Sequence, residues 1–338
     1  MHTLLVDDRW SGGGIKRFAD ELLNRMDADF EVSGIGGHWC LNDPLSPVWM
    51  SAAIWKKRPD VFWSPGFMPP LSSPAPFVFT IHDLIHLHAA GGLRAAYYET
   101  VIRPLCRKAY KIVTVSEFSR NEICEWTGLS ADHVVKVCNA VTEDFTPRGP
   151  AFSPGYPYLL YVGARKPHKN LRRVLQAFAR SGLPGRCGLL LSGNPDGDLQ
   201  RLAVGLQIAN DVHFAGYIHE AELSSYYRGA IGVVMLSTYE GFGLPALEGM
   251  ACGTPVLCSN TTSLPEVVGG AALLVDPESI EMMADGMQRI VHDETLRAEL
   301  IRSGLLRCGI FNWDASASTL SELLKEAAES RKCSARLL

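Results

Sequence analysis

AIGVVMLSTYEGFGLPALEGMACGTPVLCS, residues 230–259, contains two short apolar runs separated by a glycine-rich turn and a helical stretch. The first run ends at Ser237, and Pro245, which suits the first position of a helix, follows the turn. The second run ends at Ser259. Short apolar runs that alternate with helices are typical of neighbouring strands in a parallel sheet covered on both faces.

The same alternation continues along the chain and predicts an α/β fold. Between the two groups of apolar runs, FTPRGPAFSPGYPY (145–158) has four prolines and two glycines but no helical or strand periodicity. We therefore predict two doubly wound domains, residues 1–150 and 151–338. A ligand is expected where the carboxyl ends of strands from the two sheets face each other across a cleft. The runs interpreted as strands are HTLLVD, PDVFWSP, PFVFTIHD, KIVTVS, YLLYVG, CGLLLSG, DVHFAG, AIGVVMLS and GTPVLCS.

Composition excludes several classes of protein. The chain is 47% apolar and 20% charged, with a net charge of −4, which argues against a basic platform for nucleic acid. Its nine cysteines fall singly, without a CxxC pair, which predicts reduced thiols and a cytoplasmic location. The N-terminus lacks a signal-peptide pattern, and no stretch approaches the roughly 20 apolar residues of a membrane-spanning helix.

Two of the loops that follow predicted strands contain features suited to an anionic ligand. Gly12–Gly14 precede a helix predicted from about Ile15, and glycines there let backbone N–H groups approach an anion. A flexible turn is the alternative for this loop. VGARKPHKN (162–170) places four basic or potentially basic side chains before a helix that Asn170 is predicted to cap. These side chains suit a diphosphate, and a solvated basic loop is the alternative.

The third loop lies inside the opening stretch and has a carboxylate at each end. Glu240 lies in the turn and Glu248 in the first turns of the helix, so the pair does not form one helical face. Carboxylates accept hydrogen bonds from sugar hydroxyls, and backbone N–H groups of glycines can meet phosphate oxygens. Acids for hydroxyls and bases for phosphate together indicate a nucleotide-sugar. The donor-binding residues predicted here are Gly241, Phe242, Gly243, Leu244 and Glu248.

From Gly13 to about residue 315, the chain resembles the retaining glycosyltransferases that include phosphatidylinositol mannosyltransferases and many O-antigen and lipopolysaccharide mannosyltransferases. EGFGLPALE is similar to their paired-glutamate signature. VGARKPHKN, TIHDLIHLH, TVSEFS and SLPEVVGGAALLVDP match further family segments in order. The resemblance implies a GT-B type fold of two Rossmann-like domains, with the acceptor on the N-terminal domain and the donor on the C-terminal one. It also implies that the final helix, ASTLSELLKEAAES, crosses back to the first domain.

The resemblance assigns roles to the candidate donor-site residues. It implies that Glu248 holds the ribose hydroxyls and that Glu240 holds the transferred sugar. Arg165 and Lys169 match the basic pair on the diphosphate. His168 stands where arginine is frequent in the family, so the diphosphate contacts are expected to depend more on Arg165.

The resemblance assigns four further residues. His82 matches a histidine beside the transferred sugar, and Gly13 and Gly14 match a glycine loop that closes on the phosphate. Tyr217 lies where the family lodges the base. The alternatives are a packed or surface histidine for His82 and core packing for Tyr217. Enzymes of this fold need no metal or cofactor, and DGD (196–198) is interpreted as a turn rather than a metal site.

The predicted activity is transfer of mannose from GDP-mannose, with retention, to a glycan or lipid-linked oligosaccharide in cell-surface polysaccharide synthesis. TIHD and RKPHKN are most like the mannosyl branch, and the alternatives are UDP-glucose, UDP-N-acetylglucosamine and GDP-fucose. A silent nucleotide-sugar-binding subunit is a second alternative. Chain length disfavours a phosphorylase and the paired glutamates disfavour an epimerase. The basic helix predicted over 92–111 suggests peripheral contact with the cytoplasmic membrane face, with a solvated helix as its alternative.

Overall fold

The structure is a computed structural model that describes residues 1–10, 12–36, 43–89 and 92–335. The chain divides into two compact units, Met1–Asn139 with Asn312–Leu338, and Ala140–Phe311. Among the described residues, each unit is built on a six-stranded sheet in which all neighbouring strands are parallel. The predicted α/β fold with two doubly wound sheets is confirmed.

The sheet of the first unit is formed by β1 (His2–Val6), β2 (Phe30–Gly34), β3 (Val61–Ser64), β4 (Phe77–Thr80), β5 (Lys111–Thr114) and β6 (Val134–Lys136). Their order is β2-β1-β3-β4-β5-β6. The first helices are α1 (Gly13–Leu23), α2 (Ser46–Lys57), α3 (Ile85–Ala89), α4 (Leu93–Tyr97), α5 (Arg103–Cys106) and α6 (Glu117–Thr127), with a π-helical turn at Tyr98–Ile102. The helix predicted over 92–111 therefore ends at Cys106, because the apolar run from Lys111 pairs with β4 as a strand.

The sheet of the second unit is formed by β7 (Tyr158–Tyr161), β8 (Gly188–Leu191), β9 (Val212–Phe214), β10 (Gly232–Met235), β11 (Val256–Ser259) and β12 (Leu273–Val275). Their order is β12-β11-β10-β7-β8-β9. The helices are α7 (Leu171–Arg180), α8 (Gly197–Gly205), α9 (Glu220–Gly229), α10 (Leu244–Ala251), α11 (Leu264–Val268), α12 (Ile280–His292) and α13 (Glu294–Cys308). Buried aliphatic residues of β7, β8, α7 and α12 form much of its core.

The last helix, α14 (Trp313–Ala335), packs against α1 and β3 of the first unit. Trp313 is 4% exposed, and its ring centroid lies 6.2 Å from that of Phe18 on α1. Further along α14, Lys325 Nζ lies 2.6 Å from Asp27 Oδ2. An aromatic contact and an ion pair thus attach this helix to the first unit.

The proline-rich segment predicted as a linker packs within the second unit. Arg228 Nε donates to Pro150 O at 2.8 Å, and the Phe152 ring stacks on Tyr226 with centroids 4.0 Å apart. The units accordingly divide between Asn139 and Ala140 rather than inside this segment.

Candidate functional site

The basic loop after β7 is joined to the turn after β10. Lys169 Nζ lies 2.6 Å from Glu240 Oε1, and the two side chains are only 17% and 11% exposed. Thr238 N donates to His168 O at 2.8 Å, which links the two loops a second time. Two loops that are separate in the sequence therefore form one cluster in the second unit.

Asn170 fixes the position of the basic loop. Its backbone is left-handed, with φ of 61°, and its buried Nδ2 donates to Leu236 O at 3.0 Å and to Pro277 O at 2.7 Å. Asn170 occupies the N-cap position of α7, as predicted, but its side chain makes no capping hydrogen bond to that helix. The amide instead holds the loop against the ends of two neighbouring segments.

Replacing Asn170 with alanine should lower the free energy of unfolding by about 2–4 kcal/mol, because two buried carbonyls lose their donor and a side chain other than Asn or Gly is strained at positive φ. Urea denaturation of the full chain measures the change. Asn170→Gly is the matched control, since it keeps the backbone conformation and removes only the amide. An alanine variant within about 0.5 kcal/mol of wild type would contradict this account.

Arg165 lies against the ends of β8 and β9. Its guanidinium carbon is 5.1 Å from the centroid of the Phe214 ring, and Nη2 donates to Ser192 O at 3.2 Å. Gly193 has φ of 87°, and a Cβ there would lie 3.3 Å from Arg165 Nη2. These contacts orient the planar guanidinium before any anion binds, which suits bidentate recognition of phosphate.

Tyr161 lies at the end of β7, and both Arg165 and Glu240 affect the pKa of its phenol. Its hydroxyl donates to Ala164 O at 2.9 Å. Burial raises the pKa of this phenol, the Glu240 carboxylate raises it further, and the Arg165 guanidinium opposes them. The carboxylate and the guanidinium are therefore close enough to act on one side chain.

The backbone conformation of the glycine-rich turn before α10 disfavours a side chain at Gly243. Its φ is 106°, and a Cβ there would lie 2.5 Å from Leu264 Cδ2. Gly241 is buried, and Phe242 is 5% exposed with its ring 5.5 Å from that of Phe311. The Phe242 ring is therefore buried against Phe311 and is not exposed to a ligand. Leu244, half-buried, begins α10, whose N-terminus has no side-chain cap and offers a positive dipole end to an anion.

Two hydroxyl side chains that the sequence analysis missed support this turn. Thr262 Oγ1 accepts from Glu240 N at 3.1 Å. The single Ser263 hydroxyl proton is shared between Glu240 O at 2.9 Å and Phe242 O at 3.1 Å. Both residues follow β11, which pairs with β10, the strand that precedes Glu240. Their position after the neighbouring strand could have indicated that they lie near Glu240.

Glu248 lies in α10 and is only 3% exposed. Its Oε2 accepts from Tyr227 OH at 2.7 Å, and Tyr227 on α9 is fully buried. This hydrogen bond fixes the position of one carboxylate oxygen of Glu248. Burial raises the pKa of the nearby Cys252 to about 12, and Glu248 raises it further, so Cys252 is a thiol near neutral pH. The role of Glu248 toward ribose stays a prediction.

Tyr217 is exposed rather than packed in the core. The side chain is 76% exposed, and its ring meets His219 edge-on with centroids 5.1 Å apart. The preceding Gly216 has φ of 72°, and its carbonyl accepts from Gly193 N at 2.7 Å. Core packing, the alternative for Tyr217, is therefore wrong, and its ring is accessible to a base.

In the first unit, His82 follows β4 and is half-buried. Its Nε2 lies 2.8 Å from Pro65 O, so Nε2 must carry the proton and Nδ1 is the acceptor of the neutral ring. The Phe18 ring meets it edge-on at 4.9 Å.

Gly13, with φ of 71°, and Gly14 are exposed at the start of α1, and a Cβ added to either would meet no atom within 4 Å. The helix begins at Gly13 rather than at Ile15.

The pKa of His82 is lowered below the ordinary 6.5, chiefly by burial, with the Pro65 carbonyl opposing the shift. The unfolded chain therefore binds the proton more readily, so stability from the neutral ring is complete above about pH 6.5 and is lost as the pH falls through the folded pKa. We expect His82→Gln to flatten the fall in melting temperature between about pH 7.5 and about pH 5. His292→Gln, at an exposed position in the second unit, is the matched control. An unchanged slope in His82→Gln would contradict this assignment.

DGD (196–198) begins a helix rather than forming a simple turn. Asp196 Oδ1 accepts from Asp198 N at 2.9 Å and from Leu199 N at 3.1 Å, which caps α8. Among the described residues, no group of three or more His, Cys, Asp or Glu could hold a metal ion. The part of the chain that the structure describes also contains no helix long and apolar enough to cross a bilayer.

Sequence profiles of two protein families match consecutive parts of the chain. The profile described as Glycosyltransferase Family 4 matches residues 30–145, and that described as Glycosyl transferases group 1 matches residues 143–307. The matched regions include β7 to α10, and hence the cluster around Lys169 and Glu240.

Relatives and a solved structure match most of the chain. O-antigen chain mannosyltransferase B of Escherichia coli is 35% identical over 235 residues, 65% of this chain and 62% of that protein. Serotype-specific mannosyltransferase WbdA of Escherichia coli is 27% identical over 62% of this chain and 28% of its own length. The chain therefore spans less than two thirds of either relative. The sucrose-phosphate synthase structure from Thermosynechococcus elongatus has a TM-score of 0.77 at 19% identity and covers 98% of this chain and 100% of its own, which shows a shared fold.

Proposed function

We propose that this chain, which belongs to the glycosyltransferases with a Family 4 domain followed by a group 1 domain, transfers mannose from GDP-mannose with retention of configuration. The observation that carries the proposal is the ion pair of 2.6 Å between Lys169 and Glu240, with the Arg165 guanidinium near enough to act, as Glu240 does, on Tyr161. In a nucleotide-sugar, the transferred sugar has free hydroxyl groups and is also bonded to the diphosphate. A carboxylate and basic groups held this close together suit that ligand.

Each charged group has a proposed part in donor binding. Lys169 has three ammonium donors, so one can remain on Glu240 while others reach phosphate oxygens. Arg165 presents its guanidinium to the diphosphate. Glu240 accepts from hydroxyls of the transferred sugar, and Glu248 from the ribose. The exposed ring of Tyr217 stacks on the base.

In the proposed reaction, the bond from the anomeric carbon to the diphosphate oxygen breaks and a bond to the acceptor oxygen forms on the same face. The leaving phosphate takes the acceptor proton. Positive charge develops on the sugar ring and negative charge on the diphosphate, and Arg165, Lys169 and the N-terminus of α10 stabilise the latter. These groups supply the charge stabilisation, so the proposed mechanism calls for no metal.

The proposed acceptor is a glycan or lipid-linked oligosaccharide of cell-surface polysaccharide synthesis, and we place the enzyme in the cytoplasm with peripheral contact at the membrane. Similarity to an O-antigen chain mannosyltransferase supports the acceptor class and the mannosyl donor. The roles of His82 beside the transferred sugar and of Gly13 and Gly14 on the phosphate rest on the family resemblance. The same resemblance assigns the acceptor to the N-terminal domain.

Proton NMR of GDP-mannose with a mannose-terminated oligosaccharide tests this function. Because the sugar of GDP-mannose is α-linked, the proposal predicts an α-mannoside as the first product. A β-mannoside would overturn retention, and transfer from a UDP-sugar alone would overturn the donor. Donor binding without any transfer would favour the silent-subunit alternative.

A further inference from the structure

Thr262, in the loop after β11, has a backbone conformation that threonine rarely adopts. Its φ is 57°, and among the described residues it is the only β-branched one with a positive φ. In this left-handed region a branched Cβ crowds the following carbonyl, so Thr262 is strained. Such strain persists only where surrounding contacts maintain it, and it is concentrated at functional sites. The contacts of Thr262 therefore indicate its role.

Thr262 occupies a position in a tight turn that glycine usually fills. Leu264 N donates to Thr261 O at 3.3 Å, which closes a turn with Thr262 and Ser263 at its centre. Ser263 has φ of −77° and ψ of −13°. A positive φ at the first central residue alone is typical of a type II′ turn, in which glycine is the usual residue at that position. The turn by itself would therefore be less strained with glycine at 262.

The hydroxyl of Thr262 makes a contact that glycine could not make. Oγ1 accepts from Glu240 N at 3.1 Å. The next hydroxyl along the chain, of Ser263, lies 2.9 Å from Glu240 O. Two successive side chains of this loop thus hold the N–H and the carbonyl of one residue in the turn after β10.

The side chain of Glu240 is held as well as its backbone. Lys169 Nζ lies 2.6 Å from Glu240 Oε1, and the Glu240 side chain is 11% exposed. Burial raises the pKa of the fully buried Cys258 thiol on β11, and the Glu240 carboxylate raises it further, so this carboxylate also lies near β11. Lys169 therefore restrains the carboxylate of this side chain, and Thr262 restrains the backbone from which it extends.

We propose that Thr262 is a positioning residue, which sets the place of Glu240 toward the transferred sugar. The inference deepens the proposed function and rests on it, since Glu240 there accepts from hydroxyls of that sugar. Glycine would relax the turn but would leave Glu240 N without this acceptor. The contact between Thr262 and Glu240 is present in the protein alone, so it can be measured without a donor.

Hydrogen exchange of the Glu240 amide in the protein without ligand tests the contact. Thr262→Gly should raise the exchange rate of this amide by about tenfold, because one hydrogen bond that protects it is lost. Thr262→Ser keeps the hydroxyl and should restore most of the protection. Two-dimensional NMR of the full chain, or mass spectrometry with fragmentation to single residues, gives the rate.

Kinetics of mannosyl transfer test the positioning role. Thr262→Gly should lower kcat by about tenfold, because a displaced carboxylate no longer meets the sugar hydroxyls in the reactive geometry. The Kd for GDP, which has no sugar to meet Glu240, should stay within about twofold of wild type. Thr262→Ser should recover most of kcat. The melting temperature of Thr262→Gly should stay within about 3 °C of wild type, because relief of strain offsets the lost hydrogen bond.

Gln207→Gly is the matched control. Gln207 also has a left-handed backbone, with φ of 60°, but it is exposed and follows α8. Glycine there relaxes the backbone in the same way and should change neither the exchange of the Glu240 amide nor kcat.

The possible outcomes separate this inference from the proposed function. Unchanged exchange of the Glu240 amide in Thr262→Gly would overturn the contact, whatever the donor. Faster exchange with wild-type kcat, or a loss of kcat that serine does not restore, would overturn the positioning role. Absence of mannosyl transfer by the wild type would overturn the proposed function and the positioning role with it, while exchange would still report the contact.

Discussion

Arg165→Ala should lower kcat for mannosyl transfer by about 10²- to 10³-fold, the loss expected when one preorganised donor to a developing anion is removed. The guanidinium is already positioned over Phe214 and on the Ser192 carbonyl, so little reorganisation precedes its contact with the diphosphate. Arg165→Lys should recover only part of the rate, since an ammonium lacks the planar fork. Steady-state kinetics at saturating GDP-mannose would measure the effect.

Arg201→Ala is the control for this variant. Arg201 is 77% exposed and pairs with Asp198 on the surface of α8, so its loss should leave kcat unchanged. Circular dichroism of both variants checks that the fold is kept. Full turnover by Arg165→Ala would remove this residue from the catalytic machinery.

Glu248→Ala should raise the Kd for GDP-mannose by about 10- to 100-fold, because hydrogen bonds to a charged group contribute about 1.5–3 kcal/mol. The same variant should also be less stable, since the fully buried Tyr227 hydroxyl loses its acceptor. Isothermal titration calorimetry gives the affinity and urea denaturation the stability.

Tyr227→Phe separates these two effects. It removes the partner of Glu248 and keeps the carboxylate, so it should lower the free energy of unfolding while the Kd stays near the wild-type value. Glu248→Gln keeps an acceptor for Tyr227 and should recover stability more than affinity. If Glu248→Ala bound the donor as wild type does, the paired-glutamate interpretation of residues 238–256 would be wrong.

The sequence predicted the eight interior strands and one edge strand, β9, and missed the other three edge strands. β10, whose residues 232–235 are all buried, forms a continuous apolar run. β2 exposes Glu31, Val32 and Ser33, and β6 and β12 also lie at sheet edges with only one fully buried residue each. Because the middle residues of β2 face solvent, its sequence lacks the continuous apolar run by which an interior strand is identified.

The charged residues of the candidate site were predictable, whereas the residues that position them were not. Lys169 and Glu240 follow strands β7 and β10, which are neighbours in the sheet, so parallel pairing brings them together. Asn170, Tyr227 and Ser263 act through hydrogen bonds to segments 21 to 107 residues away in sequence, and no local pattern reveals such partners.

Thermal unfolding with GDP-mannose, other GDP-sugars and UDP-sugars, on wild type and on Glu248→Ala, identifies the donor and tests the role of Glu248 together. We expect GDP-mannose to stabilise the wild type most, by about 2.7 kcal/mol at one hundred times its Kd, and the variant to lose this effect. Stronger stabilisation by a UDP-sugar would contradict the mannosyl assignment. No response to any nucleotide-sugar would contradict the donor site itself.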